Sequence, residues 1–190
     1  MSSRETILAA LEQMAVPATA MPAINIEPNN TDLLGQYRDL LMKVGGVLIE
    51  VTDHAAIQAH LDKHIGQGEQ VLSKVDGIHG NRELNADPHQ LHDVDLALIN
   101  AEFAVAENGA VFVRSTATGH RALPFIAENL AVVVSKDNIV ANMHEAVPRI
   151  NLQRGELGAF IAGPSKTADI EQALVIGAHG ACSMTVFVLG

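Results

Sequence analysis

The side chains best suited to chemistry lie together near the carboxyl-terminal end of the sequence, directly after a short apolar run at 159–162. Such a run is typical of a strand buried on both faces. The residues that follow combine turn formers with two hydroxyl groups and an amine: Gly163, Pro164, Ser165, Lys166 and Thr167. Because hydroxyl groups, amines and free backbone N–H groups at a strand-to-helix turn attract negative charge, this segment predicts an anion-binding loop.

The same loop is expected to lead into a helix over residues 168–176. Thr167 or Ser165 would cap this helix, and Asp169 would lie in its first turn, where the helix dipole favours a carboxylate. A simpler interpretation stays open, in which the hydroxyl groups only cap the helix and the lysine is solvated. The loop lacks the G-x-x-x-x-G-K-[ST] spacing that identifies a phosphate-binding loop.

Acid–base chemistry could come from Glu107 and His179. Glu107 lies at the tip of a hairpin predicted by an Asn-Gly pair between two apolar runs, and His179 lies in the turn before the last predicted strand. Both side-chain types transfer protons in enzymes, although an exposed turn acid and a packed turn histidine are the simpler interpretations. The remaining candidate ligand contacts are Asn108, Gly109, Arg121 and Gly180.

The elements that must position these residues alternate between helix and strand. A helix after Asp32, a strand at 47–51, a helix after Asp53 and a strand at 70–75 give a β-α-β order. This order predicts an α/β fold: a Rossmann-like, mostly parallel sheet with right-handed crossovers, flanked by helices and carrying an inserted antiparallel hairpin. A further helix is predicted from Asp137 to Val147.

This fold class suggests where the candidate residues should meet. In open α/β sheets, ligands bind beyond the carboxyl ends of the strands. Glu107 follows one predicted strand, the anion-binding loop follows another, and Arg121 precedes a third, from where it could clamp a carboxylate. We therefore expect Glu107, Arg121, Asp169 and His179 to converge with the loop on one cleft.

The amino-terminal segment predicts an amphipathic helix within residues 1–16, with a capping box from Ser2 to Glu5 and one apolar stripe. The stripe suits an anchor onto the rest of the chain or a contact in a homo-oligomer, because the polar face lacks the basic belt of a membrane binder. Prolines then mark a linker. The expected division is an amino-terminal helix and linker at 1–29 and one domain at 30–190.

Composition excludes several classes of function. The formal net charge is −10, with 12 Lys and Arg against 22 Asp and Glu, which argues against nucleic acid as the main partner. Cys182 is the only cysteine, so the chain forms no internal disulfide, and an iron–sulfur cluster of its own would need about four thiolates. Because no apolar run reaches the roughly 18–20 residues of a membrane span, a cytoplasmic protein without membrane contact is expected. No cofactor is expected either.

The most polar segment, residues 76–95, is rich in His and Asp. These residue types bind divalent metals, so a metal has to be considered. The spacing of His89 and His92 after Pro88 does not match an H-E-x-x-H pattern, however. A solvated loop or a flexible lid is the favoured interpretation, and no metal site is predicted.

Three segments together resemble the LUD-domain family, also known as the lactate utilisation protein C family. AVAENGAVFV at 104–113 resembles the family's Ala-Glu-Thr-Gly hairpin, and HRALPF at 120–125 resembles its Arg…Leu-Pro segment. FIAGPSKTADIEQALVIGAHG at 160–180 resembles the most specific motif, a Gly-Pro-Ser-(Lys/Arg)-Thr-Ala-Asp-Ile-Glu run followed by Gly-x-His-Gly. The sequence departs from the family at Asn108, where Thr is common, and at Ala181, where Pro is common.

The resemblance implies a fold similar to the superfamily of ribose-phosphate isomerase, glucosamine-phosphate deaminase and the CoA-transferases. It also implies a place in a three-protein system that oxidises L-lactate to pyruvate, in which the partner proteins carry the iron–sulfur clusters. The leading expectation is the cluster-free component, which binds a small anionic ligand and works with those iron–sulfur partners.

Two alternatives stay open. One is a stand-alone enzyme on a small phosphorylated or CoA-linked substrate, in which Glu107, by resemblance to the CoA-transferases, acts as nucleophile. The other is a non-catalytic assembly subunit. Turnover of a sugar phosphate or an acyl-CoA by the isolated chain would distinguish the first alternative from the second.

Overall fold

The computed structural model of the chain describes residues 2–13, 19–24, 26–85, 87–168, 174–177 and 179–190. The helices in this part are α1 (Ser3–Gln13), α2 (Leu33–Lys43), α3 (His54–Gly66), α4 (Ser115–Thr118), α5 (Leu123–Ile126) and α6 (Met143–Ala146). The strands are β1 (Val47–Val51), β2 (Val71–Ser73), β3 (Leu96–Asn100), β4 (Phe103–Val105), β5 (Ala110–Arg114), β6 (Asn129–Ser135), β7 (Ile139–Val140), β8 (Gly158–Ile161), β9 (Lys166–Ala168), β10 (Leu174–Ile176) and β11 (Ser183–Leu189).

A five-stranded sheet in the order β1-β11-β6-β3-β2 organises the described structure, and every neighbouring pair in it is parallel. Its inner strands are apolar runs buried on both faces, as in residues 96–99 of β3. Helix α3 joins β1 to β2, which lie at opposite edges of the sheet. The prediction of an α/β fold with a mostly parallel sheet flanked by helices is confirmed.

A second, mixed sheet has the order β7-β4-β5-β8 and contains the predicted hairpin of β4 and β5. Strand β4 ends at Val105, so the turn comprises residues 106–109 rather than two residues. Gly109 adopts a φ of 71°, and a Cβ atom on it would lie 2.7 Å from the backbone nitrogen of Leu41. This turn therefore needs glycine, both for its conformation and for its close packing against α2.

Alternating side chains along the strands divide the core into layers. Val132 of β6 packs in the same cluster as Ala104 of the mixed sheet, whereas the adjacent Val133 packs in a cluster with Leu61 of α3. One core therefore lies between the two sheets and another between the parallel sheet and α3. The outer face of the mixed sheet carries three phenylalanine rings whose centroids lie 5.1 to 6.1 Å apart: Phe103, Phe112 and Phe160.

The expectation of a helix over residues 168–176 is wrong. Strand β9 pairs antiparallel with β10, while residues 169–173 between them lie outside the described part of the chain. The β-branched side chains of Thr167, Val175 and Ile176 favour extended backbone over helix. The attraction of an anion to a helix amino terminus therefore does not apply to this loop.

The helix predicted from Asp137 to Val147 is also wrong. Residues 136–138 form a 3-10 turn and β7 follows, so only α6 within the predicted span is α-helical. The β-branched pair of β7 extends the mixed sheet by pairing with Ala104 and Val105 of β4. Asn142 then caps α6, because its Oδ1 accepts a hydrogen bond from Glu145 N at 3.0 Å.

Helix α1 confirms the predicted amino-terminal helix and its capping box, in which Ser2 N donates to Glu5 Oε2 at 2.7 Å. None of its residues is buried, and Ile7 and Leu11 are 60% and 59% exposed. The division at residue 29 remains a prediction. Within the described residues, no helix combines the length and the apolar character needed to cross a membrane.

Candidate functional site

A cleft of about 240 Å³ forms where the loop after β8 meets the loop before β11. Gly163 and Ser165 line it from the first loop, and His179 and Gly180 line it from the second. Leu130, near the start of β6, lines the same cleft, which therefore lies at the amino ends of β6 and β11. We name it the amino-edge cleft.

Backbone contacts hold the two loops of the amino-edge cleft together. Ser165 N donates to Ala181 O at 2.8 Å, and Gly177 N donates to Ser165 O at 3.0 Å. Gly163 has a φ of 70°, and a Cβ atom on it would lie 2.4 Å from the carbonyl oxygen of Val44, just after α2. The cleft is thus shaped by backbone packing, which only glycine permits at this position.

The cleft combines an apolar wall with a few polar side chains, as is typical of small-molecule sites. Phe125 and Ile161 contribute to the wall, Ser165 is half-buried and His179 is exposed. Within the described residues, neither the Ser165 hydroxyl nor the His179 ring takes part in a side-chain hydrogen bond. Both groups could therefore bond to a ligand carboxylate or phosphate.

Arg121 lies beside the amino-edge cleft rather than in it. It lines a small adjoining space of about 10 Å³ with Ser115 and Thr118. Pro124 and Phe125 border both spaces. The exposed guanidinium forms none of the ion pairs found in the described part of the chain, so Arg121 supplies a positive charge at the rim of the cleft.

The other residues of the expected anion-binding loop point to structural roles. Lys166 does not line the cleft: its Nζ donates to the carbonyl oxygen of Val44 at 2.6 Å. Thr167 lies in β9, opposite Val175. Asp169 lies outside the described residues.

Glu107, Asn108 and Gly109 do not line the amino-edge cleft either. Glu107 Oε2 accepts a hydrogen bond from Met143 N at 2.8 Å, at the start of α6, and Asn108 Oδ1 accepts one from Ala110 N at 3.0 Å within the turn. The structure therefore brings Gly163, Ser165, His179 and Gly180 together, places Arg121 next to them, and separates the hairpin tip from the cleft. The expected convergence of Glu107 with His179 is not found.

The His- and Asp-rich segment at 76–95 is held by an ion pair between Arg82 and Asp93, with Nε to Oδ2 at 3.2 Å. The hydrogen bond from Arg82 keeps the pKa of Asp93 below its usual value. Among the residues that the structure describes, no group of three or more His, Cys, Asp or Glu side chains could hold a metal ion.

A second cleft, of about 290 Å³, lies at the opposite end of the parallel sheet and was not predicted. Its polar lining comes from residues at or after the carboxyl ends of strands and at the start of α3: His54, Asp76, Asn100, Ser135 and Asn138. We name it the carboxyl-edge cleft. The rule that ligands bind at carboxyl ends of strands points to this edge of the sheet, but which of these residues meet there depends on the strand order.

The chain was compared with known protein families, curated proteins and solved structures. The family model of the LUD domain matches residues 41–189. Lactate utilization protein C of Deinococcus radiodurans is 27% identical over 189 residues, covering 93% of this chain and 87% of that protein. The protein of that name from Geobacillus kaustophilus is 32% identical over 165 residues, covering 82% of this chain and 68% of that protein.

Other matches are shorter. Lactate utilization protein C of Bacillus pumilus is 34% identical over 108 residues, so the chain spans about half of that relative, 45% of its length. A crystal structure of a DUF162 family protein from Deinococcus radiodurans has a TM-score of 0.64 and 22% identity, covering 84% of this chain and 97% of that chain. This structural likeness concerns the fold alone.

Proposed function

Because the chain belongs to the LUD domain family, we propose that it is a component of a lactate-utilisation system. The name lactate utilization protein C, carried by relatives that match most of the chain as well as by those that match half of it, supports this proposal. The component works with iron–sulfur proteins, which carry the electrons released when L-lactate is oxidised to pyruvate. A chain with one cysteine suits the cluster-free role.

Within that system, the chain binds a small anionic ligand in the amino-edge cleft. The observation that carries this proposal is the meeting of Ser165 and His179, from separate loops, in a cleft with Arg121 at its rim. The Ser165 hydroxyl and a His179 ring N–H would donate to the oxygens of a carboxylate, and the Arg121 guanidinium would balance its charge. Phe125 and Ile161 would exclude water from one side of the ligand.

The position of Glu107 favours this binding role over a CoA-transferase-like enzyme. A carboxylate nucleophile must reach the substrate, but Glu107 accepts a hydrogen bond from Met143 N and lies away from the cleft lining. The fold relationship to the isomerases and CoA-transferases remains an expectation from resemblance. We therefore assign anion binding, rather than covalent catalysis by Glu107, to this chain.

A growth experiment in the native host tests the system-level proposal. The gene for this chain is deleted, and growth is measured with L-lactate or with pyruvate as the carbon source. We expect growth on L-lactate to fail and growth on pyruvate to continue, because only the oxidation step is lost. Normal growth on L-lactate after deletion would contradict the proposal.

Ligand binding is tested separately on the purified full-length protein by calorimetry with L-lactate, pyruvate and inorganic phosphate. His179→Ala and Arg121→Ala should each weaken binding of the anion by about tenfold, since a hydrogen bond to a charged group contributes about 1.5–3 kcal/mol. Arg149→Ala, at another exposed site, is the matched control. Equal affinity in the wild type and all three variants would contradict anion binding in the amino-edge cleft. It would not affect the proposal of a lactate-utilisation role, which the growth experiment tests separately.

A further inference from the structure

The carboxyl-edge cleft has the position and the lining of a second binding site. Strands β3, β6 and β11 bring aliphatic, hydroxyl and amide side chains to one space of about 290 Å³: Asn100, Val133, Ser135 and Leu189. Asp76, just beyond β2, borders the same space. Leu130 of β6 and Ala181, just before β11, line the amino-edge cleft at the other ends of these strands. The two clefts therefore lie at opposite ends of the same parallel strands and do not share a ligand.

Most of the polar side chains in this cleft have no hydrogen-bond partner within the described part of the chain; the exception among them is the Ser135 hydroxyl, which accepts from Asp137 N at 3.3 Å. Asp76, Asn100 and Asn138 form no side-chain hydrogen bond or ion pair there. At the other end of the sheet, by contrast, Asp95 Oδ2 accepts from Gln70 N at 2.6 Å and Asn129 Nδ2 donates to Asp95 O at 3.0 Å. Asp95 and Asn129 thus fasten neighbouring segments, whereas Asp76, Asn100 and Asn138 remain available to a ligand.

The charge of the carboxyl-edge cleft opposes an anion. Among the described residues that line it, Asp76 is the only carboxylate and none is a lysine or an arginine. Helix α3 begins at His54, beside the cleft, and its amino terminus already has a carboxylate cap. Asp53 Oδ1 accepts a hydrogen bond from Ala56 N at 3.0 Å. The available groups are therefore one carboxylate and two amides, which can both donate and accept, without a lysine or arginine among the described lining residues.

We propose that the carboxyl-edge cleft binds a small ligand that carries an ammonium group next to hydroxyl groups. Asp76 pairs with the ammonium group, because a charge-assisted hydrogen bond to a carboxylate is stronger than a neutral one. The side-chain oxygens of Asn100 and Asn138 accept from the neighbouring hydroxyl groups. The formal net charge of −10 raises the local concentration of such cations around the protein.

The test uses three small probes on the full-length protein, followed through the backbone amide signals in NMR spectra. Ethanolamine carries both an ammonium and a hydroxyl group, ethylene glycol carries hydroxyl groups only, and acetate is an anion. We expect ethanolamine to shift the signals of Asp76, Asn100 and Asn138 most strongly and acetate to leave them unchanged. An equal response to ethanolamine and ethylene glycol, or a stronger one to acetate, would overturn the proposal.

Two matched variants locate the charge. Asp76→Asn should weaken the ethanolamine response by about tenfold, the effect of losing one hydrogen bond to a charged group. Asp39→Asn removes the same charge from an exposed position on α2 and should leave the response unchanged. Equal responses in Asp76→Asn and the wild type would overturn the assignment of Asp76. An equal loss of the ethanolamine response in both variants would show that the net charge of the protein attracts the probe, and it would also overturn the assignment of Asp76.

Discussion

At the scale of single residues, the end of α2 depends on a side chain from far along the sequence. The last carbonyl groups of a helix have no partner within the helix and carry partial negative charge. Lys166 meets this need after α2, because its Nζ donates to Val44 O at 2.6 Å. The sequence suggested that Lys166 belongs to an anion site, but in the structure it stabilises the junction between α2 and the loop after β8.

Replacing Lys166 with methionine should lower the free energy of unfolding by about 1 kcal/mol, the usual net contribution of such a hydrogen bond. Anion affinity in the amino-edge cleft should stay unchanged, because the amine does not line it. Urea unfolding followed by circular dichroism measures the first quantity and calorimetry the second. Lys136→Met, at an exposed lysine, is the control. A loss of affinity without a loss of stability would return Lys166 to the anion site.

At the scale of elements, the hairpin of β4 and β5 is positioned by the contact of Gly109 with α2. The Asn-Gly pair was sufficient to predict this hairpin, because the signal is local. The strands β7, β9 and β10 were not predicted, since their residues acquire strand partners only in the folded molecule. His179 was identified by residue type, but its position at the amino edge of the sheet depends on which strand follows it.

Gly109→Ala should destabilise the protein by about 3 kcal/mol or more. Alanine disfavours the left-handed backbone conformation of this position, and its Cβ atom would also clash with the backbone of α2. A Cβ atom on Gly109 would lie 2.7 Å from Leu41 N, whereas a Cβ atom on Gly155, at a φ of 90°, would meet no atom within 4 Å. Gly155→Ala should therefore cost only about 1 kcal/mol, the backbone contribution alone. Similar unfolding free energies for the two variants would refute the packing argument.

The segment at 151–157 is fastened to β5 by carboxylate contacts. Arg114 Nη1 donates to Glu156 Oε2 at 2.9 Å, and Gln153 N donates to the same oxygen at 2.7 Å. The backbone N–H of Gln153 and then the hydrogen bond from Arg114 hold the pKa of Glu156 below its ordinary value of 4.5.

Because this pKa is lower in the folded than in the unfolded state, the contacts stabilise the segment fully above the ordinary pKa. The stabilisation should be lost as pH falls through the lowered value of the folded state. Amide hydrogen exchange of residues 151–157, corrected for intrinsic rates, should therefore show more opening in acid. Glu156→Gln should remove most of this pH dependence. An unchanged pH profile in that variant would exclude Glu156 as its cause.

At the scale of the whole molecule, the order β1-β11-β6-β3-β2 decides which loops meet. Alternation of helices and strands predicted a parallel sheet but not this order, since β1 and β2 are joined by α3 and yet lie at opposite edges. The carboxyl-edge cleft was missed for this reason: Asp76 and Asn100 come together with Asn138 only once the strand order is known.

Helix α1 should contribute little to the free energy of unfolding of the sheets. None of the residues of α1 is buried. The first described hydrogen bond between the amino-terminal segment and a side chain of α2 is the one that Gln36 Nε2 donates to the backbone carbonyl of Asn29. Deleting residues 1–27 should therefore change the free energy of unfolding by less than about 0.5 kcal/mol, the usual limit for surface changes. Urea unfolding of the shortened and full-length chains makes the comparison. A large loss of stability would show that α1 packs on the domain, as an anchor.

The strand order also bears on synthesis at the ribosome. Among the described strands, β1 pairs with β11 alone, and β11 also fills the place beside β6, yet β11 is translated after both of them. Until residues 183–189 leave the exit tunnel, the nascent chain therefore presents two open strand edges, on β1 and β6, which are prone to pair with other chains. Premature termination before residue 183 should thus yield an insoluble fragment that depends on chaperones, rather than a smaller folded domain.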